Sequence, residues 1–249
     1  WDFGSEEQKQ QYLPRLITGE WLAAYCLTES QSGSDALNVR TRAELSPDGE
    51  HYILNGEKMW ISNGGWADLY TVFAKIRGEE FTAFLVERGM EGVRPGTEER
   101  KMGLKGSSTT AVVLDNVAVP VRNVLGEMGK GHRIAFNILN IGRLELGAAC
   151  VGGGKEALSE SLRYAKQRKA FGRPIAEFGL MQHKLAEMAM ALEQSRLLVH
   201  KAAWLMDQGE FPIALASMAK VAATEAAVKA TDDAMRIFAS YGLSLEYPI

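Results

Sequence analysis

The spacing of apolar residues along the chain changes near Gly126, which divides the chain into two parts. Upstream, apolar residues come in short runs separated by Gly- and charge-rich turns, which is typical of strands. The predicted strands include Leu69–Lys75, Phe81–Glu87 and Thr110–Val119. Several short strands at this spacing predict an antiparallel β-barrel or sandwich rather than a parallel sheet.

An Asn-Gly pair, Asn55 and Gly56, lies inside the apolar run Tyr52–Ile61. A type I′ turn needs positive φ at both central residues, and Asn-Gly is a pair that adopts this conformation readily. The sequence therefore predicts a β-hairpin that turns at these two residues.

The N-terminal residues have a helical pattern. Ser5 is a good N-cap, and Glu6 and Glu7 place negative charge in the first turn, where it suits the helix dipole. Pro14 interrupts the pattern, because proline lacks the backbone donor that a helix interior needs. We therefore expect residues 5–22 to form part of a helical hairpin.

Beyond Gly126 the strand signals stop and long helical segments follow. Ile134–Cys150 is apolar on nearly every side, which is typical of a helix buried at a centre. Ala214–Ala239 is rich in alanine and is therefore expected to pack closely. A heptad-like stripe typical of a bundle helix lies between them, formed by Met181, Leu185, Met188, Leu192, Ser195, Val199, Ala202 and Met206.

These patterns predict an α+β multidomain protein, with an antiparallel β-barrel or sandwich followed by an antiparallel helical domain of the four-helix-bundle type. We place the end of an N-terminal helical domain at residues 1–22, the β-domain at 23–126 and the helical domain at 127–249. Both ends of the chain resemble cuts through a longer protein, so the helical domain is expected to be incomplete.

Composition excludes few classes of protein. The 249 residues are 46% hydrophobic and 24% charged, which is ordinary for a soluble globular protein. The net charge of −3 gives no electrostatic reason to expect nucleic acid as a partner. No run of about 18 apolar residues lacks polar interruption, so no transmembrane helix is expected. The two cysteines, Cys26 and Cys150, lie far apart, and we expect a reducing compartment rather than secretion.

Two signals of other chemistry are weak. The four histidines show no metal-ligand spacing, so no metal site is expected. The stretch Gly152–Lys155 resembles a phosphate loop, but it lacks the first glycine and the final hydroxyl that such a loop needs, and it continues a helical pattern.

The candidate chemistry lies in two segments of the predicted β-domain, Tyr25–Asp35 and Lys58–Gly65. The first contains the hydroxyls of Thr28 and Ser34 beside a turn-forming glycine. The second ends a strand with the large ring of Trp60, a hydroxyl and two glycines. Taken one at a time, the hydroxyls are typical of turn caps and the tryptophan of a core residue. Together they supply the apolar wall, hydroxyls and backbone N–H groups that suit a flavin.

In the order and density of its motifs the chain resembles the acyl-CoA dehydrogenase family over essentially all of its residues. Besides the two segments above, the resemblance is carried by Gly4–Lys9, Tyr12–Pro14, Lys101–Gly103, Asn123–Gly126 and Arg168–Gly172. Ser62, Asn140–Arg143 and Phe178–Gln182 look most like the very-long-chain branch. The resemblance implies a fragment that lacks the family's N-terminal helical domain and C-terminal end.

The resemblance also implies the residues of a FAD site. The implied contacts with FAD are Tyr25, Leu27, Thr28, Gly33, Ser34, Trp60, Ile61 and Ser62. Arg168 and Phe171 match residues that reach the flavin of a neighbouring subunit, where the donor fork of an arginine suits a diphosphate. The alternative for Arg168 is a solvated charge near a helix C-terminus. Three residues depart from the family pattern in another segment beside the flavin: Arg236, Ala239 and Ser240.

For the substrate, the resemblance places Ser34, Asn140 and Arg143 near CoA, with Asn140 replacing an aspartate of the short- and medium-chain branches. In most of the family the catalytic base is a glutamate that would lie downstream of residue 249. A minority of the family carries the base immediately before the arginine matched by Arg143, and that position is Gly142 here. Glu145 is a candidate substitute for this base, and the alternative is that it makes only a polar contact within the bundle. The catalytic base therefore stays unassigned.

The implied activity is FAD-dependent α,β-dehydrogenation of acyl-CoA thioesters to trans-2-enoyl-CoA, as in fatty acid β-oxidation. An acyl-CoA oxidase and a catalytically reduced flavoprotein that serves as an assembly factor stay open as alternatives. The implied partners are acyl-CoA, an electron-transfer flavoprotein as acceptor, and further copies of the chain in a homodimer or tetramer. The implied compartment is the bacterial cytoplasm or the mitochondrial matrix. Without the base, residues 1–249 alone are expected to be inactive.

Overall fold

The structure is a computed structural model that describes all residues from Trp1 to Ile249. It contains two compact units, Trp1–Phe136 and Asn137–Ile249. The elements up to residue 125 are a helix, α1 (Glu6–Ile17), and eight strands, β1 (Ala23–Cys26), β2 (Arg42–Leu45), β3 (His51–Ser62), β4 (Leu69–Ile76), β5 (Glu80–Glu87), β6 (Val93–Pro95), β7 (Thr109–Pro120) and β8 (Val124–Leu125). The remaining elements are α2 (Gly131–Gln167), β9 (Lys169–Ala170), β10 (Arg173–Pro174), α3 (Gly179–Asp207) and α4 (Ile213–Phe238).

The strands of the first unit form one eight-stranded sheet in the order β6-β7-β3-β2-β4-β5-β8, with β1 beside β4. Most neighbouring strands are antiparallel, whereas β4 has parallel partners in β1 and β2. The pairing of β2 with β4 is parallel because the chain between them includes β3, which runs antiparallel to β2. The predicted α+β class is confirmed, and these parallel pairs are a feature that the sequence pattern did not indicate.

The core of the first unit lies around β4 and β5, which are buried on both faces over most of their length. Tyr70, Phe73 and Phe84 are fully buried. Two-sided burial explains why these strands have continuous apolar runs instead of strict alternation. Each such side chain stabilises the fold by about 1.5–3 kcal/mol relative to an exposed position.

The predicted hairpin at Asn55 and Gly56 is wrong, because β3 continues through both residues. The pairing of β3 with β7 is irregular between Leu54 and Gly56, and the side-chain oxygen of Asn55 accepts the backbone N–H of Asn116 at 2.9 Å. A Cβ at Gly56 would lie 2.8 Å from the Cα of Thr41. The close approach of two backbones, and not a turn, therefore explains this glycine.

The N-terminal segment, expected to be part of a helical hairpin, contains a single helix that ends at Ile17. Ser5 and Gln8 form a capping box at the start of α1, and the Gln8 amide donates to the carbonyls of Arg122 and Val124, both at 2.8 Å. These bonds attach the helix to the chain around β8. Pro14 lies near the C-terminal end of α1, where it removes one backbone donor without ending the helix.

In the second unit, α3 and α4 pack along the predicted stripe. The buried positions of α3 are Leu185, Met188, Leu192, Ser195, Val199 and Ala202. Opposite them, α4 buries mainly alanines, whose small side chains allow close approach of the helices. Asp233 of α4 is 4% exposed and accepts hydrogen bonds from Lys184 of α3 and from Lys229.

Helix α2 extends over 37 residues and includes the three glycines of the rejected phosphate-loop motif. The expectation that its first half is buried on every side is wrong for this chain, because Phe136, Ile138 and Leu146 are 41%, 46% and 47% exposed. By length and composition α2 could cross a membrane, with a mean hydropathy of 1.3 over 18 residues, which differs from the expectation of no such helix. A core helix of a soluble protein meets the same criterion.

Candidate functional site

Two segments singled out in the sequence meet beside the end of β3. Strand β1 pairs in parallel with β4 and leads directly into residues 27–35. The carbonyl of Thr28 accepts the backbone N–H of Met59 at 2.9 Å. This bond joins the first segment to β3 at the residue before Trp60.

Trp60 has an unusual backbone conformation for an aromatic residue. Its φ is 59°, in the left-handed region, and the pairing of β3 with β7 is interrupted between Lys58 and Ile61. Such a conformation costs about 1–3 kcal/mol and concentrates at functional sites. The indole is 56% exposed, so Trp60 is not a core residue. The strained backbone instead presents a large apolar surface to solvent.

Polar groups accompany this exposed ring. Ser34 and Ser62 are exposed, and Thr28 is half-buried. Gly33 is exposed as well, and a Cβ at that position would meet no atom within 4 Å. The segments therefore combine an apolar plane with accessible hydroxyl and backbone groups, which is the combination that binding sites for planar polar ligands use.

Two of the expected FAD contacts have buried side chains. Leu27 is 5% exposed and Ile61 is 2% exposed, and Ile61 belongs to the core cluster of the sheet. Any contact of these residues with a ligand would involve their main chains. Their side chains support the site from behind, which the sequence motifs alone could not show.

Tyr25 is held from two sides. Its ring packs edge-on against Phe73, with 5.2 Å between the ring centroids, and its hydroxyl donates to the carbonyl of Ala135 at 3.3 Å. Burial raises the pKa of Tyr25 well above its usual value. The phenol thus remains protonated at all ordinary pH values and acts as a hydrogen-bond donor.

A buried ion pair that sequence reasoning missed lies behind the two segments. The ammonium of Lys58 is 0% exposed and lies 2.7 Å from the carboxylate of Glu29, which is 3% exposed. Burial opposes ionisation of Glu29, but Lys58 and hydrogen bonds from Thr41 and the backbone outweigh it and hold the Glu29 pKa below its usual value. Burial also lowers the pKa of Lys58, against the attraction of Glu29.

The sequence did contain one signal for this pair. From Tyr52 to Lys58, every second residue of β3 has a buried side chain, apart from Gly56, which has none. A lysine on the inward face of a strand requires a buried partner, because an unpaired buried charge is very costly. The partner itself could not be identified from spacing, since Glu29 lies in a loop far away in sequence.

Arg168 and Phe171 lie together in the second unit. Arg168 directly follows α2, and its guanidinium lies 5.6 Å from the ring centroid of Tyr241. Phe171 is 97% exposed and has a φ of 51°, in the turn between β9 and β10. The sequence predicted neither this exposure nor the aromatic neighbour of Arg168.

These two residues line an apolar concavity of about 610 Å³. The three residues that depart from the family pattern, Arg236, Ala239 and Ser240, line the same concavity. Its other walls are mainly apolar, formed by Tyr164, Ala170, Ile175, Phe178, Gly179, Leu180, Met181, Ile237, Phe238 and Tyr241. The second unit thus contains a mainly apolar site whose lining includes Arg168, Phe171 and the three residues that depart from the family pattern.

On α2, Asn140 and Arg143 are half-buried, and the guanidinium of Arg143 donates to the Asn140 side chain. Asn140 and Arg143, the two substrate contacts expected on α2, therefore lie about one helical turn apart and form one hydrogen-bonded polar group. Glu145 is exposed and lies about 200° around the helix from Arg143, because successive residues of an α-helix are rotated by about 100°. The structure does not bring Glu145 to this polar group.

Family models and individual known proteins that are similar to this chain indicate the same family. The model described as "Acyl-CoA dehydrogenase, middle domain" matches residues 24–117, and the one described as "Acyl-CoA dehydrogenase, C-terminal domain" matches residues 129–249. A probable acyl-CoA dehydrogenase of Bacillus subtilis is 44% identical over 99% of this chain and 45% of its own length. The mitochondrial very long-chain specific acyl-CoA dehydrogenase of Macaca fascicularis is 45% identical over 98% of this chain and 39% of its own length.

Among solved structures, an acyl-CoA dehydrogenase from Bacillus anthracis, complexed with FAD, is similar to this chain with a TM-score of 0.90. It is 45% identical over 99% of this chain and 45% of its own chain. The chain therefore spans less than half the length of each of these relatives.

Proposed function

The chain belongs to the acyl-CoA dehydrogenase family, and we propose that the protein containing it dehydrogenates acyl-CoA thioesters to trans-2-enoyl-CoA with FAD as cofactor. The observation that carries this proposal is the exposed, strained Trp60 beside accessible hydroxyls. We refer to Thr28, Ser34, Trp60 and Ser62 as the flavin-facing wall.

The residues present fit FAD on two grounds. Trp60 offers a flat apolar surface that is large enough to cover part of an isoalloxazine, and it is held in place by its strained backbone. The hydroxyls of Thr28 and Ser62 offer hydrogen bonds to ring heteroatoms, and the open surroundings of Gly33 allow close approach of a phosphate. When bound, FAD would supply the hydride acceptor for oxidation of the acyl chain.

Substrate binding is assigned to Ser34, Asn140 and Arg143. A guanidinium whose position is fixed by Asn140 can donate to the phosphates of CoA, for which arginine is well suited. Gly142 has no side chain to act as a base, and Glu145 is on another side of α2. We therefore assign the catalytic base to a residue outside residues 1–249.

Arg168 and Phe171 form a second surface that is suited to a flavin of a neighbouring subunit, since Arg168 can bind a diphosphate and Phe171 exposes a ring. The assembly would be a homodimer or tetramer. The acceptor would be an electron-transfer flavoprotein, and the pathway fatty acid β-oxidation in the bacterial cytoplasm or the mitochondrial matrix.

Replacement of Trp60 by alanine tests the proposed cofactor site. Loss of a large stacked apolar surface should weaken FAD binding by about 1–3 kcal/mol. The FAD dissociation constant of the purified protein, measured by calorimetry or fluorescence, reports this change. Trp66→Ala is a matched control, since Trp66 is 52% exposed in the same unit. Equal FAD affinity of the Trp60 variant and the unaltered protein would contradict the assignment.

A further inference from the structure

We propose that Glu29 and Lys58 are positioning residues for the flavin-facing wall. The inference rests on the proposed FAD-binding function and adds two residues that would not touch the cofactor. Both side chains are buried, at 3% and 0% exposure, so they act only through the chain segments that they hold.

Lys58 holds the chain on both sides of Thr28. Its ammonium donates to the carbonyl of Leu27 at 3.3 Å and to the carboxylate of Glu29 at 2.7 Å. Lys58 itself lies on β3, two residues before Trp60. The Lys58 ammonium thus holds the Leu27–Thr28 peptide and the Glu29 side chain in place relative to β3, the strand that carries Trp60.

Glu29 closes the loop that carries Gly33 and Ser34. Its carboxylate accepts the backbone N–H groups of Arg40 at 2.6 Å and Thr41 at 3.1 Å. It also accepts the Thr41 hydroxyl and the side-chain amide of Gln31. Both ends of the loop are therefore attached to a single buried carboxylate, through bonds that a charged acceptor strengthens.

Stability alone does not explain why this pair is ionic. Apolar residues of the same volume often give equal or greater stability than a buried ion pair, because the pair must lose its hydration. Apolar residues do not provide directional bonds to Leu27, Arg40 and Thr41. The geometry of the loop is the property that requires these two charges.

The test uses the double variant Glu29→Gln with Lys58→Met, which removes both charges and nearly keeps the volumes. Its FAD dissociation constant should rise by about tenfold or more. In the FAD-free protein, amide hydrogen exchange of residues 27–35 should accelerate by about tenfold, while β4 and β5 stay protected.

Val117→Ala is the matched control, because Val117 is 0% exposed in the core of the same sheet and away from the ion pair. It should lower the melting temperature without changing exchange in residues 27–35 or FAD affinity. If the double variant does not fold, Thr41→Val removes one donor to Glu29 and should still accelerate exchange over residues 27–35.

The positioning role would be overturned if the double variant folds and exchange over residues 27–35 is unchanged. If the double variant does not fold, unchanged exchange in Thr41→Val would overturn it instead. Because exchange is measured without FAD, this result is independent of the proposed function. Failure of the unaltered protein to bind FAD would reject the proposed function, while the exchange data would still decide whether the pair positions the loop.

Discussion

The two aromatic residues assigned to flavin contacts share one backbone property. Trp60 and Phe171 have φ values of 59° and 51°, and both rings are more than half exposed. An aromatic residue rarely adopts this conformation, because its Cβ then clashes with the backbone. Two strained and exposed rings in different units are difficult to explain by packing, and they favour a role in ligand binding for both residues.

Gly56→Ala tests the explanation of the Asn-Gly pair at the scale of single residues. Because a Cβ would lie 2.8 Å from the Cα of Thr41, the two backbones must separate, and the free energy of unfolding should fall by about 1–3 kcal/mol. Chemical denaturation measures this change. Gly89→Ala, where a Cβ meets no atom within 4 Å, should stay within about 0.5 kcal/mol. Equal stability of both variants would contradict the close approach.

At the scale of secondary structure, the sequence predicted those elements in which the spacing of apolar residues stays regular along the whole element. The stripe on α3 and the runs of β4 and β5 each reflect burial against a single core, and that burial fixes their period. The continuous strand β3 was missed because its course through Asn55 depends on pairing with β7. The ion pair of Glu29 and Lys58 was missed for the same reason, since it joins a loop to a strand.

Adjacent glycines of α2 give a test at this scale. A Cβ at Gly154 would collide with the Leu192 side chain, so Gly154→Ala should have a free energy of unfolding about 1–3 kcal/mol below that of Gly153→Ala. Gly153 is exposed and has open space, so Gly153→Ala should raise that free energy by about 0.5–1 kcal/mol through helix propensity. Thermal denaturation measures both. Equal stability of the two variants would show that Gly154 does not lie against the Leu192 side chain of α3.

At the scale of the whole molecule, each compact unit carries one of the two surfaces proposed to contact a flavin. The first unit contains Thr28, Ser34, Trp60 and Ser62, and the second contains the concavity lined by Arg168 and Phe171. Family motifs are the basis on which these residues are proposed to contact a flavin. They did not indicate that Arg236, Ala239 and Ser240 share the concavity, because that depends on how α4 ends beside the turn of β9 and β10.

Arg168→Ala tests whether the second surface serves a neighbouring subunit. If Arg168 binds a flavin diphosphate across a dimer, FAD binding and dimer formation are linked, and the variant should lose both together. Arg168→Lys should restore binding only in part, because lysine lacks the fork of donors. Arg163→Ala, which removes an exposed arginine of α2 paired with Glu160, is the control. Sedimentation with and without FAD measures the linkage, and a dimer constant independent of FAD would refute it.

The buried ion pair also constrains how this sequence can evolve. A single substitution of Glu29 or Lys58 by an apolar residue leaves one unpaired charge in the core, which is strongly destabilising, whereas loss of both charges leaves none. Any lineage that abandons the pair must therefore pass through an unfit intermediate or change both codons at once. The two positions are expected to be inherited as a unit, even though one lies in a loop and the other on a strand.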